Sequence, residues 1–171
     1  MNVGGNRLLA IASLLAVLTA VAFAQGPRGT SSATFGGKKV EIEYGRPSLA
    51  GRDMLGKVWP GMVWRLGMNQ ATSLTTEADL AFGEVTVPKG SYSLFAKKVS
   101  DTTWHLIVNK QTGQWGTQHD ASQDLVEIPL KVMPAESGTE TFSIDLSADG
   151  NKGSFKVMWA TTILSAHFTA K

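Results

Sequence analysis

Two short stretches gather the residues best suited to chemistry. The first is Tyr44-Gly45-Arg46-Pro47-Ser48, followed by Gly51-Arg52. The second runs Val63-Trp64-Arg65-Leu66-Gly67-Met68-Asn69-Gln70-Ala71-Thr72. Arg65 stands between Trp64 and Leu66, inside an apolar, strand-like run. An arginine there either faces outward or is paired in a crowded site. Its guanidinium offers five donors in a planar fork suited to carboxylates, phosphates and sulfates. Neighbouring aromatics can stack on a sugar or on the guanidinium itself. The candidate ligand-binding set is Arg46, Arg52, Trp64, Arg65, Asn69, Tyr92 and Trp115. The arginines would orient an anionic or polyhydroxyl ligand, Asn69 would donate and accept, and Trp64, Tyr92 and Trp115 would form walls. The alternative is structural: the arginines pair with Asp53, Glu77, Asp79 or backbone carbonyls and lock a loop.

Other chemistries find thinner support. His105, His119 and His167 are not paired at short spacing, as a metal site would require. Asp120 and Asp124 lie near His119, but a solvated loop explains them better than a metal. No Gly-x-Ser-x-Gly elbow marks a nucleophilic serine; a histidine could reach Ser48, Ser91 or Ser93 only through the fold. Glu41 and Glu43 share one face of a strand, ~6.6 Å apart along the chain, a separation that glycosidases use. The period-2 pattern makes that face a solvated one. Trp104 and Trp115 flank Asn109-Lys110 as a platform for a sugar or peptide, or as aromatics closing a hairpin. A phosphate loop needs a strand–loop–helix context, which is absent. Nucleic acid binding needs a basic stripe with interleaved aromatics, also absent.

The elements that must position these residues read as strands. Val40, Ile42 and Tyr44 alternate with Glu41 and Glu43. Leu80 and Phe82, then Val85 and Val87, continue the pattern to a tight turn at Val87-Pro88-Lys89-Gly90. Tyr92, Leu94 and Ala96 form one face of the next strand, with Ser91, Ser93 and Phe95 on the other. Trp104, Leu106 and Val108 alternate with His105, Ile107 and Asn109. Val126, Ile128, Leu130 and Val132 form another line, which Pro129 confines to an edge or bulge. Phe142, Ile144 and Leu146 lead to a hairpin signal at Asp149-Gly150-Asn151. Phe155, Val157 and Trp159 answer it, and Ile163 to Phe168 closes the chain. No 12-residue window carries a helical stripe. The expected fold is all-β: a single-domain antiparallel β-sandwich or jelly-roll-like barrel of about 8–10 strands. Between Ser48 and Gly61 a Gly-punctuated loop interrupts the pattern, with Met54, Leu55, Val58 and Trp59 as its expected buried anchors.

Residues 1–24 read as an address. Arg7 and the amino terminus make a positive n-region, Leu8 to Leu18 an apolar core, and Ala22-Phe23-Ala24 a small-residue cleavage site. Residues 25–32 (QGPRGTSS) read as a flexible leader, and 33–171 as the single β domain. The chain of 171 residues holds 16 Lys and Arg against 14 Asp and Glu, a formal charge of +2. That surplus does not imply a nucleic acid or anionic membrane partner. With no cysteine, disulfides, thiolate metal sites and cysteine nucleophiles are excluded. Secretion without cysteine fits a bacterial periplasm or exterior. No second apolar segment is long enough to span a bilayer once the signal is removed.

Four motifs, in order, resemble a known family. They are Tyr44-x-Arg46-Pro47 with Gly51-Arg52 and Val63-Trp64-Arg65-x-Gly67-x-Asn69-x-Ala71-Thr72; Pro88-Lys89-Gly90-Ser91-Tyr92-Ser93-Leu94-Phe95; Trp104 to Lys110; and Gln114-Trp115-Gly116. The chain is similar over residues 33–169 to the bacterial domain-of-unknown-function family 2911. Met68 and the Lys97-Lys98 pair depart from the family's usual small and apolar residues. The resemblance implies secretion and a single domain, and brings no activity with it. The expected function is therefore noncatalytic binding of an anionic or sugar-like ligand in the bacterial cell envelope, with no cofactor and no metal. The alternatives are a cell-envelope hydrolase using a carboxylate such as Asp53 with His105 or His119, and an assembly module recruiting a protein partner through an exposed edge strand.

Overall fold

The computed structural model describes residues 26–171; the segment read as a signal peptide lies outside them. The strands are β1 (Arg28–Phe35), β2 (Lys38–Gly45), β3 (Val63–Trp64), β4 (Thr72–Thr76), β5 (Leu80–Phe82), β6 (Val85–Val87), β7 (Gly90–Lys98), β8 (Trp104–Asn109), β9 (Asp124–Asp149) and β10 (Lys152–Ala170). Every pairing is antiparallel. The order is β1-β2-β4-β7-β8-β9-β10-β5-β6, with β3 added on β7. The all-β antiparallel expectation holds. A single 3-10 turn, Ala121–Gln123, interrupts the strands. Among the described residues, no helix is long and apolar enough to cross a membrane.

Residues 28–32, read as leader, form the first half of β1. Their Gly/Ser composition disfavours a strand, yet Arg28 to Phe35 pair in register with Gly45 to Lys38. The Gly36-Gly37 turn accounts for this: both residues have positive φ (57° and 85°), as a two-residue hairpin turn requires. On β2, Val40, Ile42 and Tyr44 are buried while Glu43 is exposed. This is the alternation read from the sequence.

Strands β9 and β10 are longer than the sequence pattern suggested. The runs around Val126–Val132 and Phe142–Leu146 belong to one strand of 26 residues. Those around Phe155–Trp159 and Ile163–Phe168 belong to one of 19. Their register shifts on either side of Ala160, which has φ 51°; a bulge of this kind bends a strand and increases its twist. The first part of β9 pairs with β8 through Leu130 and the rest with β10 from Lys131 onward. Pro129 therefore sits where β9 has a ladder partner on one side only, and its missing N–H is tolerated. At the far end, Gly150 (φ 62°) opens the two-residue turn into β10.

The sheet folds over on itself around one core. Val40 and Ile42 of β2, Leu74 of β4 and Leu106 of β8 share that core with Phe155 and Phe168 of β10. A smaller cluster of Ala71, Phe95 and Ile107 lies apart from it. Strand β7 is thus covered on both faces: Ser93 and Phe95 are buried as deeply as Tyr92 and Leu94. The long connection from β8 to β9 supplies the outer cover, with the His119 ring 4.8 Å from that of Phe95.

Two further contacts fix the loop after β2. Phe142 N–H donates to Pro47 O and Leu49 N–H to Glu140 O, both at 2.9 Å. The loop is thereby held along β9. Of its expected anchors, Val58 is buried and Met54 and Leu55 pack on the core. Trp59 is the exception at 65% exposed, since the neighbouring Val58 and Met62 turn inward in its place.

Candidate functional site

Strand β3 is only two residues long, and it sets the site. Trp64, paired opposite Ala96, turns into the core. There it stacks on Trp159 at 5.6 Å and 6°, and meets Trp104 and Phe142 edge-on. The next residue, Arg65, leaves the strand.

Backbone conformations then become unusual. Leu66 (φ 46°), Gly67 (φ 142°) and Asn69 (φ 63°) all have positive φ. Such conformations at non-glycine residues cost about 1–3 kcal/mol each and persist where the surroundings over-determine them. The surroundings do so here. Leu66 is buried, and its carbonyl accepts from Thr72 Oγ1 at 2.5 Å. Gly116 N–H donates to Asn69 O at 2.7 Å, and Ala71 N–H to Gln114 O at 3.1 Å. Behind, Gly45 lies so close that a Cβ on it would stand 2.1 Å from Met68 O. The segment Arg65–Ala71 is clamped between β2 and the β8–β9 connection.

A cavity of about 560 Å³ opens beside this segment. Such volumes are typical of small-molecule sites. Its apolar lining comes from Met54, Val58, Met62, Trp64, Met68 and Trp159, with Phe95 on the side of the β8–β9 connection. Its polar lining is basic: Arg52, Lys57, Arg65 and His119, with Thr117 beside them. No Asp or Glu lines it among the described residues.

The four basic groups are held differently. Arg52 Nε donates to Leu49 O at 2.9 Å and Nη2 to Ser48 O at 3.0 Å. This is the carbonyl-capping role weighed above. Arg65 makes no side-chain hydrogen bond and no ion pair among the described residues, though it is only half-exposed; its stem lies over Gly116, where a Cβ would stand 3.2 Å from Arg65 Cδ. Lys57 is exposed. His119 Nε2 contacts Asp124 Oδ1 at 2.9 Å, and Asp124 Oδ1 also accepts from Asn109 Nδ2 at 2.7 Å. One further donor belongs to the wall: Trp159 is 3% exposed and its indole N–H has no partner among the described residues.

Of the seven residues singled out from the sequence, the fold brings Arg52, Trp64 and Arg65 to the cavity. The other four lie elsewhere. Arg46 turns toward β1, where a Cβ on Gly29 would stand 2.6 Å from its Cδ, and its buried Nε has no partner among the described residues. Asn69 stands behind the lining, beside Gly26. Tyr92 belongs to the core, donating to Pro88 O at 2.9 Å; burial first, then the Asp79 charge, raises its hydroxyl above the usual value. Trp115, 43% exposed, adjoins the lining residue Gly116. Lys57, the three methionines, Phe95 and Trp159 were missed as lining. Trp159 reads as plain core from its alternation, and nothing in the sequence sets it opposite Trp64.

The carboxylate–histidine pairs also differ from expectation. Asp53 accepts from Gly56 N–H at 2.8 Å and closes a turn. His119 pairs with Asp124, and His105 Nδ1 with Glu127 at 2.9 Å. Glu127 is held below its ordinary value, first by the His105 hydrogen bond and then by Lys97. Among the described residues, no group of three or more His, Asp or Glu could hold a metal ion.

No curated protein and no solved structure matches the chain. A family model does match, over residues 26–168. That span holds every strand but the last residues of β10, together with the whole cavity lining, and the chain belongs to the family described as "Protein of unknown function (DUF2911)".

Proposed function

We propose that the protein is a noncatalytic binding module whose cavity takes a small organic anion. The observation that carries this reading is the charge of the lining: three cationic side chains, Arg52, Lys57 and Arg65, and, among the described residues, no carboxylate, around a largely apolar wall. Arg65 is the anchor, because its guanidinium carries five donors in a planar fork and makes no side-chain hydrogen bond or ion pair among the described residues. Cations in a partly desolvated cavity attract an anion more strongly than they would in water. A sugar is the weaker candidate. Its hydroxyl hydrogens need acceptors, and the side-chain lining supplies only the Thr117 hydroxyl and the His119 ring. The signal-like opening of the sequence supports action in the periplasm or outside a bacterial cell. The test is calorimetric titration of the chain with carboxylates, phosphates, sulfates and neutral sugars. Saturable binding of one anion class, weakened in Arg65→Ala, is expected. Sugars binding while every anion fails would overturn the reading.

A further inference from the structure

We infer that the ligand is an amphiphile: one anionic head on an extended apolar chain. This rests on the anion-binding reading and adds what lies behind the head. Six of the apolar side chains that line the cavity along with the cations are Met54, Val58, Met62, Trp64, Met68 and Trp159. A bare inorganic anion or a short acid would leave that surface against water. Three of the six are methionines, unbranched and polarizable, which adapt to a flexible chain better than to a rigid ring. Trp59, 65% exposed, follows Val58, and Trp115, 43% exposed, precedes Gly116; both neighbours line the cavity. These tryptophans come from two different loops. The cations take the head, since no carboxylate competes for it.

The experiment is a titration series of acetate, butanoate, octanoate and 1-octanol. Burial of each added methylene should tighten binding by about fourfold. Octanoate should bind at least tenfold tighter than acetate and than 1-octanol. Met62→Trp, which fills cavity volume from a half-buried loop position, should abolish the chain-length dependence. Acetate binding as tightly as octanoate would overturn the amphiphile and leave the anion reading standing. Octanol binding as tightly as octanoate would overturn the anion reading. A chain-length dependence that persists in Met62→Trp would overturn the placement of the chain in this cavity, and with it the inference.

Discussion

Arg65 decides between a ligand site and a framework. If its guanidinium is reserved for an anion, Arg65→Ala should barely touch stability. The side chain makes no hydrogen bond or ion pair among the described residues, and only its stem is covered, over Gly116. Lost packing of an arginine stem of this kind is worth at most about 1 kcal/mol. At roughly 2–4 °C per kcal/mol for a domain of this size, the melting midpoint should fall by no more than that. Binding should suffer far more. Charge-assisted hydrogen bonds are worth about 1.5–3 kcal/mol, so affinity for octanoate should drop roughly 10- to 150-fold. Arg65→Lys keeps the charge but loses the fork, and should fall between the two. Arg52→Ala provides the contrast. It removes two bonds to the Leu49 and Ser48 carbonyls, so stability and affinity should decline together. Calorimetric titration gives the affinities and scanning calorimetry the midpoints. An Arg65→Ala variant that melts about 8 °C or more below the parent while binding octanoate as well as before would make Arg65 framework and not anchor.

Three further outcomes are expected. Trp159→Phe should change stability by less than about 1 kcal/mol, because removing a buried unpartnered N–H offsets the lost ring area; Trp159→Ala should cost about 3–5 kcal/mol. Urea midpoints would show this, and equal losses in both variants would mean the indole N–H has a partner. Gly45→Ala should cost about 1–3 kcal/mol or more, since its Cβ would collide with the Met68 backbone, which cannot step aside as a side-chain end can; it should also weaken anion binding by displacing Arg65–Met68. Glu127 has a folded pKa lowered by His105 and then Lys97. Its contribution is present above the ordinary glutamate value and is lost as pH falls through the lowered one. Glu127→Gln should therefore be slightly less stable at neutral pH and lose less on acidification below about pH 5. Parallel melts across that range would refute the assignment.

How much was legible depended on the range of each interaction. Alternation at Val40, Ile42 and Tyr44 needs only a half-buried strand, and it was readable. So was the Gly150 turn, whose geometry is set by the residue itself. The Gly36-Gly37 turn carried an equally local signal, and reading it would have rescued residues 28–32 from the leader. Arg52, Trp64 and Arg65 stood out as polar or bulky residues in unusual neighbourhoods, and these three reach the cavity. Arg46, Asn69 and Tyr92 shared that local character, but their side chains point toward β1, Gly26 and Pro88. Asn69 misses the wall that Arg65 joins because the positive φ angles at Leu66, Gly67 and Asn69 redirect the chain after every residue or two.

By itself the sequence determined an antiparallel, all-β chain, because period-2 burial and turn chemistry are properties of a few consecutive residues. It also marked the arginine-bearing segments, because a guanidinium in an apolar run is unusual wherever it folds. Only the tertiary structure decided that β9 and β10 are single long strands bent at Ala160, since a bulge is defined by the partner strand it slips against. Only the tertiary structure set Trp159 on Trp64 and His119 on Phe95, across 95 and 24 residues of chain. And only the fold selected which cations share a cavity free of carboxylates. Among the described residues Arg65 has no partner there, because the clamp between Gly45 and Gly116 leaves its donors beside a cavity that none of their acidic side chains lines.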